Sequence, residues 1–245
     1  MNVLTVGAHP ADVFDLAGGT VANFATGGHR VYLGVITHGS FSHTQTITDR
    51  PPEALAQCKT LKREECETAA RHVGLAGIRY FDYDDEPFLP TRDAILALAE
   101  YVREVRPDVV ITHHPNEYGH PDHPVVGDMV LRSLKAAERW LQGSLRPAHP
   151  MRRVYFFGTQ FRAISTKLAF SAVGADFIVD ITPSIEKKKR AVAAFASQSF
   201  KGAQYDEAWA DRRVQRVEGH WGFMNGLEFA EEFICLTPQT VKLLP

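Results

Sequence analysis

Three cysteines in 245 residues, Cys58, Cys66 and Cys235, are an odd number, and none stands in a C-x-x-C pair. A chain this long needs no disulfide staples, so the usage points to a reducing, cytoplasmic compartment. No stretch approaches the roughly 18 consecutive apolar residues of a membrane span. The opening Met1-Asn2-Val3-Leu4-Thr5-Val6-Gly7-Ala8-His9 has no basic region, and its short apolar run ends at a polar cluster, unlike a signal peptide. Charge of one sign is also lacking: 27 Lys and Arg against 29 Asp and Glu give a net charge of -2. That balance offers no positive field for a polyanion and excludes nucleic acid as the primary partner. There is no internal repeat and no low-complexity segment. These absences leave a soluble protein whose expected partner is a small molecule.

What is present is the 44% hydrophobic and 23% charged balance of a globular chain, and residues 1–245 are expected to form a single domain. Strand-length apolar runs at Val3–Val6, Val31–Ile36, Ile78–Tyr83, Val109–Thr112, Val154–Phe157 and Phe177–Ile181 alternate with helical stretches. The helices are read at Val21–Ala25, Pro52–His72, Arg92–Val105, Val125–Leu141 and Ser184–Ala196. Gly18-Gly19 is expected just before the first helix, where backbone amides approach something, and Gly27-Gly28 at its end. This alternation predicts an α/β fold, Rossmann-like, with a mostly parallel sheet and helices on both faces. Glu186-Lys187-Lys188-Lys189-Arg190 reads as a solvated helix face. The region from Gln204 to Gly226, with Trp209, Trp221, Phe223 and Met224, has no clean strand pattern and is expected as a lid over the ligand edge of the sheet. Ser40–Pro52 is polar enough to be a mobile loop.

The chemistry is concentrated in the histidines. Four of eleven, His113, His114, His120 and His123, fall within eleven residues, directly after the Val109–Thr112 strand. A second group, His9-Pro10-Ala11-Asp12, follows the first strand. Ligands of open α/β sheets bind beyond the carboxyl ends of the strands, so both groups can converge at one edge. Two imidazoles and a carboxylate with an open fourth position suit a catalytic Zn²⁺, and His9, Asp12 and His123 are the expected ligands. The alternative for one isolated H-P-x-D is a set of loop histidines that merely make hydrogen bonds.

Over most of its length the chain resembles the PIG-L or LmbE-like zinc de-N-acetylases. Gly7-Ala8-His9-Pro10-Ala11-Asp12 with Gly18-Gly19-Thr20 is similar to the family's A-H-P-D-D and G-G-T. Arg63-Glu64-Glu65, with Ala69-Ala70 and Gly74-Leu75, resembles the helix after the second strand. Arg106-Pro107-Asp108 leading to His120-Pro121-Asp122-His123 resembles the second metal motif, and Glu186-Lys187 to Ser197-Gln198 a late K…SQ segment. The resemblance implies metal ligands at His9, Asp12 and His123, a carbonyl-polarising Tyr118, and His120 with Asp122 as an ionisable support beside the metal. Asp122 can alternatively cap the following helix. Residues from about 199 to 245 would be a C-terminal segment over the active site. The implied activity is removal of an N-acyl group, most simply acetyl, from a small molecule.

One departure matters most: Ala11 stands where the family has its general-base aspartate. A methyl group moves no protons, and positioned general-base help is worth about 10²–10⁴-fold. Asp15 is the nearest substitute in sequence, with His120, His114 and Glu117 less local. The first motif is also similar to that of the 4-oxalomesaconate hydratase branch of the superfamily, in which a small residue precedes the metal-binding aspartate. Hydration of an unsaturated keto acid, or a catalytically impaired chain, are therefore the alternatives. Arg63 ranks first for a substrate clamp by resemblance, ahead of Arg79, Arg162 and Lys167. Trp140, Leu141, Leu145 and Met151, with Trp221 and Phe223, offer apolar surface for a homo-oligomer.

Overall fold

The computed structural model describes residues 1–41, 52–117, 119–139, 141, 143–151, 153–157, 175–200 and 203–236. Tyr118, Trp140, Arg162, Lys167 and most of the Ser40–Pro52 segment therefore lie outside the described residues. The elements run β1 (Asn2–Gly7), α1 (Asp12–Thr26), β2 (Arg30–Thr37), α2 (Pro52–Val73), β3 (Gly77–Tyr83), α3 (Arg92–Val105), β4 (Val109–Thr112) and α4 (Asp122–Ala137). They continue with β5 (Val154–Phe157), β6 (Phe177–Asp180), a 3₁₀ turn at Thr182–Ser184, α5 (Ile185–Ala193), β7 (Ser199–Phe200), β8 (Ala203–Gln204), α6 (Glu207–Met224) and β9 (Ala230–Cys235).

Seven strands form one sheet in the order β3-β2-β1-β4-β5-β9-β6. The first five are parallel, and β9 runs antiparallel between β5 and β6. Successive side chains of a strand face opposite sides, and the sheet accordingly carries two cores. Val3, Val31, Leu33, Val109 and Ile111 pack with α1, α2 and α5 on one side. Leu4, Val6, Val110, Val154 and Phe156 pack with α3 and α4 on the other. The chain winds from β1 through β2 to β3 and then crosses back to β4, so the strand order reverses between β1 and β4. The loops diverge at that point, and the crevice they leave is where an open α/β sheet binds its ligand.

Three elements differ from the sequence reading. The first helix begins at Asp12 and breaks at Ala17 (φ -144, ψ 17), so Gly18-Gly19 opens its second half rather than preceding all of it. The expected approach of amides is met there: Gly19 and Thr20 donate their N–H groups to the Glu231 carboxylate at 2.9 and 2.8 Å. The charged run of α5 is only partly solvated, because Lys188 is fully buried and its Nζ lies 2.7 Å from Glu218 and 2.6 Å from Glu231. The region from Gln204 to Gly226 holds the long helix α6, and a further strand that the sequence pattern does not announce, β9, follows it and enters the sheet. Adjacent Glu231 and Glu232 hide β9 in the sequence; the Glu231 charge is tolerated inside because Lys188 and two amides meet it.

Candidate metal centre

The parallel register sets Val6 beside Thr112, so the residues that follow β1 and β4 leave the sheet together. His9 turns into α1, whose first residue, Asp12, accepts the His9 N–H at 2.7 Å. A carboxylate in the first turn of a helix is favoured by the partial positive charge there. His113 directly follows β4, and its Nε2 lies 3.2 Å from the Ala8 nitrogen. His123 stands in the first turn of α4, which approaches the His113 backbone closely: a Cβ on Gly127 would lie 2.5 Å from the His113 carbonyl oxygen. Only glycine permits that approach, and with it the seating of His123.

Three imidazoles converge on one carboxylate oxygen. Asp12 Oδ2 lies 3.0 Å from His113 Nε2, 3.4 Å from His9 Nδ1 and 3.6 Å from His123 Nε2. The remaining ring nitrogens are held by other carboxylates. His9 Nε2 is 3.2 Å from Asp122 Oδ2, and Glu117 gives one oxygen to His123 Nδ1 at 2.6 Å and the other to His113 Nδ1 at 3.1 Å. His9 Nδ1 and His123 Nε2 are buried and make no hydrogen bond. Two orphaned ring nitrogens facing a shared carboxylate oxygen, each ring braced from behind by a carboxylate, is the arrangement a divalent metal requires. His9, Asp12 and His123 can hold such an ion; both nitrogens of His113 are already engaged.

The electrostatics divide the histidines of this recess: His9 and His113 are raised, whereas His120 and His123 are lowered, His123 by burial and by the charge of His113. Burial opposes a charge on His9, but Asp12, Asp122 and Asp85 outweigh it and raise the ring to about 10. His113 is likewise buried and is raised to about 9 by its bonds to Asp12 and Glu117. Burial would raise the Glu117 carboxyl, yet His123 and His113 hold it at about 2. His120 moves the other way: burial, and then the charges of His9 and His123, push it down to about 4.

The other residues singled out in the sequence fall in distinct places. Asp122 neither caps α4 nor turns its carboxylate to His120. It braces His9 and accepts the N–H groups of Glu86 and Phe88 at 3.0 and 2.8 Å, while its own N–H donates to His120 Nδ1 at 3.2 Å. His120 Nε2 meets Glu86 Oε1 at 2.8 Å. Asp15 pairs with Arg213 of α6, which also grips both oxygens of Glu218. Arg63 pairs with Asp82 and lies over the Tyr80 ring, 4.6 Å from its centroid. It is outside the histidine cluster. His113, Glu86 and Asp85 carry no role in the sequence motifs, and Glu117 stands there only as a less local candidate base. The Asp84-Asp85-Glu86 run directly after β3, at the same sheet edge, was the available signal.

The fold and this His/carboxylate recess define a class: α/β proteins with a metal-competent site at the switch point between two parallel strands. The PIG-L family profile, described as GlcNAc-PI de-N-acetylase, matches residues 4–134, and the chain belongs to this family. A 4-oxalmesaconate hydratase of Pseudomonas putida is 27% identical over 216 residues, covering 87% of this chain and 80% of the relative. A 1D-myo-inositol 2-acetamido-2-deoxy-alpha-D-glucopyranoside deacetylase of Kineococcus radiotolerans is 30% identical over 166 residues, 56% of this chain but only 45% of that relative. The crystal structure of the 4-carboxy-2-hydroxymuconate hydratase GalB from Pseudomonas putida superposes with a TM-score of 0.83 at 22% identity, covering 100% of this chain and 99% of that one. This last likeness concerns the fold.

Proposed function

We propose that the chain is a zinc-dependent hydrolase that removes an N-acyl group, most simply acetyl, from a small molecule. The observation that carries this reading is the pair of orphaned ring nitrogens, His9 Nδ1 and His123 Nε2, facing Asp12 Oδ2. Two imidazoles and one carboxylate suit Zn²⁺ with a position left for water or substrate. A zinc ion bound there supplies Lewis acidity, polarising a carbonyl oxygen and acidifying water. Asp122 and Glu117 fix the tautomers and orientations of the ligand rings. Membership of the de-N-acetylase family supports the N-acyl substrate. No helix among the described residues is long and apolar enough to cross a membrane, and we infer a cytoplasmic location from the cysteine usage.

A second reading, hydration of an unsaturated keto acid, is favoured by Ala11 and by the Pseudomonas putida hydratase relative. The test is a screen of zinc-loaded protein on N-acetyl sugars and N-acetyl amino acids for acetate release, beside a conjugated keto acid followed by absorbance. Acetate release supports the hydrolase; absorbance decay without acetate supports the hydratase. Ala11→Asp separates them further. Added base help should raise acetate release, whereas an added anion should slow turnover of a polycarboxylate by repulsion in a site of low effective dielectric. His9→Ala and His123→Ala should each lose stoichiometric zinc by elemental analysis, and retention by both would refute the ligand set.

A further inference from the structure

Glu86 occupies an unusual position in the backbone. It is a long-chain residue held at φ 48, a left-handed conformation that such residues keep only where surroundings impose it. Asp122 Oδ2 accepts the Glu86 N–H at 3.0 Å and lies 3.2 Å from His9 Nε2. One oxygen thus fixes Glu86 relative to a ring of the metal recess. From there the Glu86 side chain reaches His120, whose ring centroid is 4.5 Å from that of His9 and 4.8 Å from that of His123. His120 Nδ1 accepts the Asp122 N–H, so the neutral ring carries its proton on Nε2 and donates it to Glu86 Oε1.

The neighbouring carboxylates are engaged elsewhere. Asp12 is ringed by imidazoles, Glu117 spends one oxygen on each of two histidines, and Asp85 accepts the N–H groups of Ser40 and Phe41. The Glu86 side chain is 38% exposed, and its Oε2 has no hydrogen-bond partner among the described residues.

We propose that Glu86, backed by His120, is the proton-transferring carboxylate of this site and supplies what Ala11 cannot. This rests on the reading that the site activates water. In N-acyl hydrolysis the water oxygen bonds to the acyl carbon as one of its protons passes to Glu86. The C–N bond then breaks with its electron pair on nitrogen, which takes the proton from Glu86. The carboxylic acid formed ionises, and its proton converts the released amine to ammonium.

The test compares zinc-loaded wild type with Glu86→Gln on N-acetylglucosamine and on p-nitrophenyl acetate, an activated ester that needs no amide recognition. Zinc content and the ¹⁵N shifts of the His120 ring are measured alongside. Glu86→Gln is expected to keep its zinc and lose about 10²–10⁴-fold in kcat with little change in KM. Added formate should restore part of the rate in Glu86→Ala, and wild-type His120 should show the Nε2–H tautomer. A Glu86→Gln rate within about twofold of wild type, loss of zinc in step with activity, or an Nδ1–H tautomer would each overturn the proposal. If wild type spares the amide but cleaves the ester with the same dependence on Glu86, the N-acyl reading fails and the role of Glu86 stands. If it cleaves neither, both fall.

Discussion

Glu117 shows how one side chain sets the geometry of several others. Its two oxygens hold His113 and His123, whose rings stack with centroids 4.0 Å apart, and so direct both Nε2 atoms at Asp12. Glu117→Gln should lower zinc affinity by about 10–100-fold, the usual cost of removing a carboxylate behind a metal-binding histidine, measured by competition with a chelator. The same carboxylate governs acid stability. Its folded pKa of about 2 lies below the ordinary 4.5, and that of Asp122, also about 2, lies below 3.8. A depressed carboxylate contributes stability that is complete above its unfolded pKa and is lost as pH falls through the folded value. The urea midpoint of metal-free protein should therefore drop between pH 4.5 and about 2. The drop should be shallower in Glu117→Gln, and identical acid profiles for the two proteins would show that Glu117 is not held as described.

At the scale of elements, the first helix, α5, α6 and β9 are joined by buried charge. Lys188 bridges Glu218 and Glu231, Glu231 closes the broken end of α1 at Gly19 and Thr20, and Arg213 links Glu218 to Asp15. Removing one partner of a buried ion pair leaves the others desolvated and unpaired, typically a loss of about 3–5 kcal/mol. Lys188→Met should show a loss of that size in urea unfolding. A change below about 1 kcal/mol would mean that water or rearrangement compensates the two glutamates. The network also explains why Asp15, three residues beyond Asp12 on the same helix, serves as an anchor for α6: its charge is already matched by Arg213.

For the whole molecule, the strand order places the histidine groups of β1 and β4 at the switch point, while the two cores keep the supporting helices on opposite faces. Several large apolar side chains are exposed: Leu145 fully, Phe223 82%, Leu89 74% and Met224 63%. Large apolar side chains left in water favour self-association, and we propose that the chain forms a homo-oligomer through these regions. Light scattering at micromolar concentration should give a multiple of 27.3 kDa. A monomeric mass would remove the idea.

The sequence by itself determined what depends on neighbours along the chain. Strand runs such as Val109–Thr112 and Val154–Phe157, and the helix Arg92–Val105, follow from local apolar patterning and appear with the same bounds in the structure. The placement of His9 just beyond β1 and of His123 at the start of α4 was legible for the same reason, because H-P-x-D and H-P-D-H carry their own turn chemistry. Tertiary structure alone decided which carboxylate meets which imidazole. Asp122 reaches His9 across 113 positions and Glu86 reaches His120 across 34, distances over which no local pattern carries information. It also decided that Lys188 and Glu231 are interior residues: alone, each charge would be excluded from the core, and only the fold brings the two together so that both can be buried.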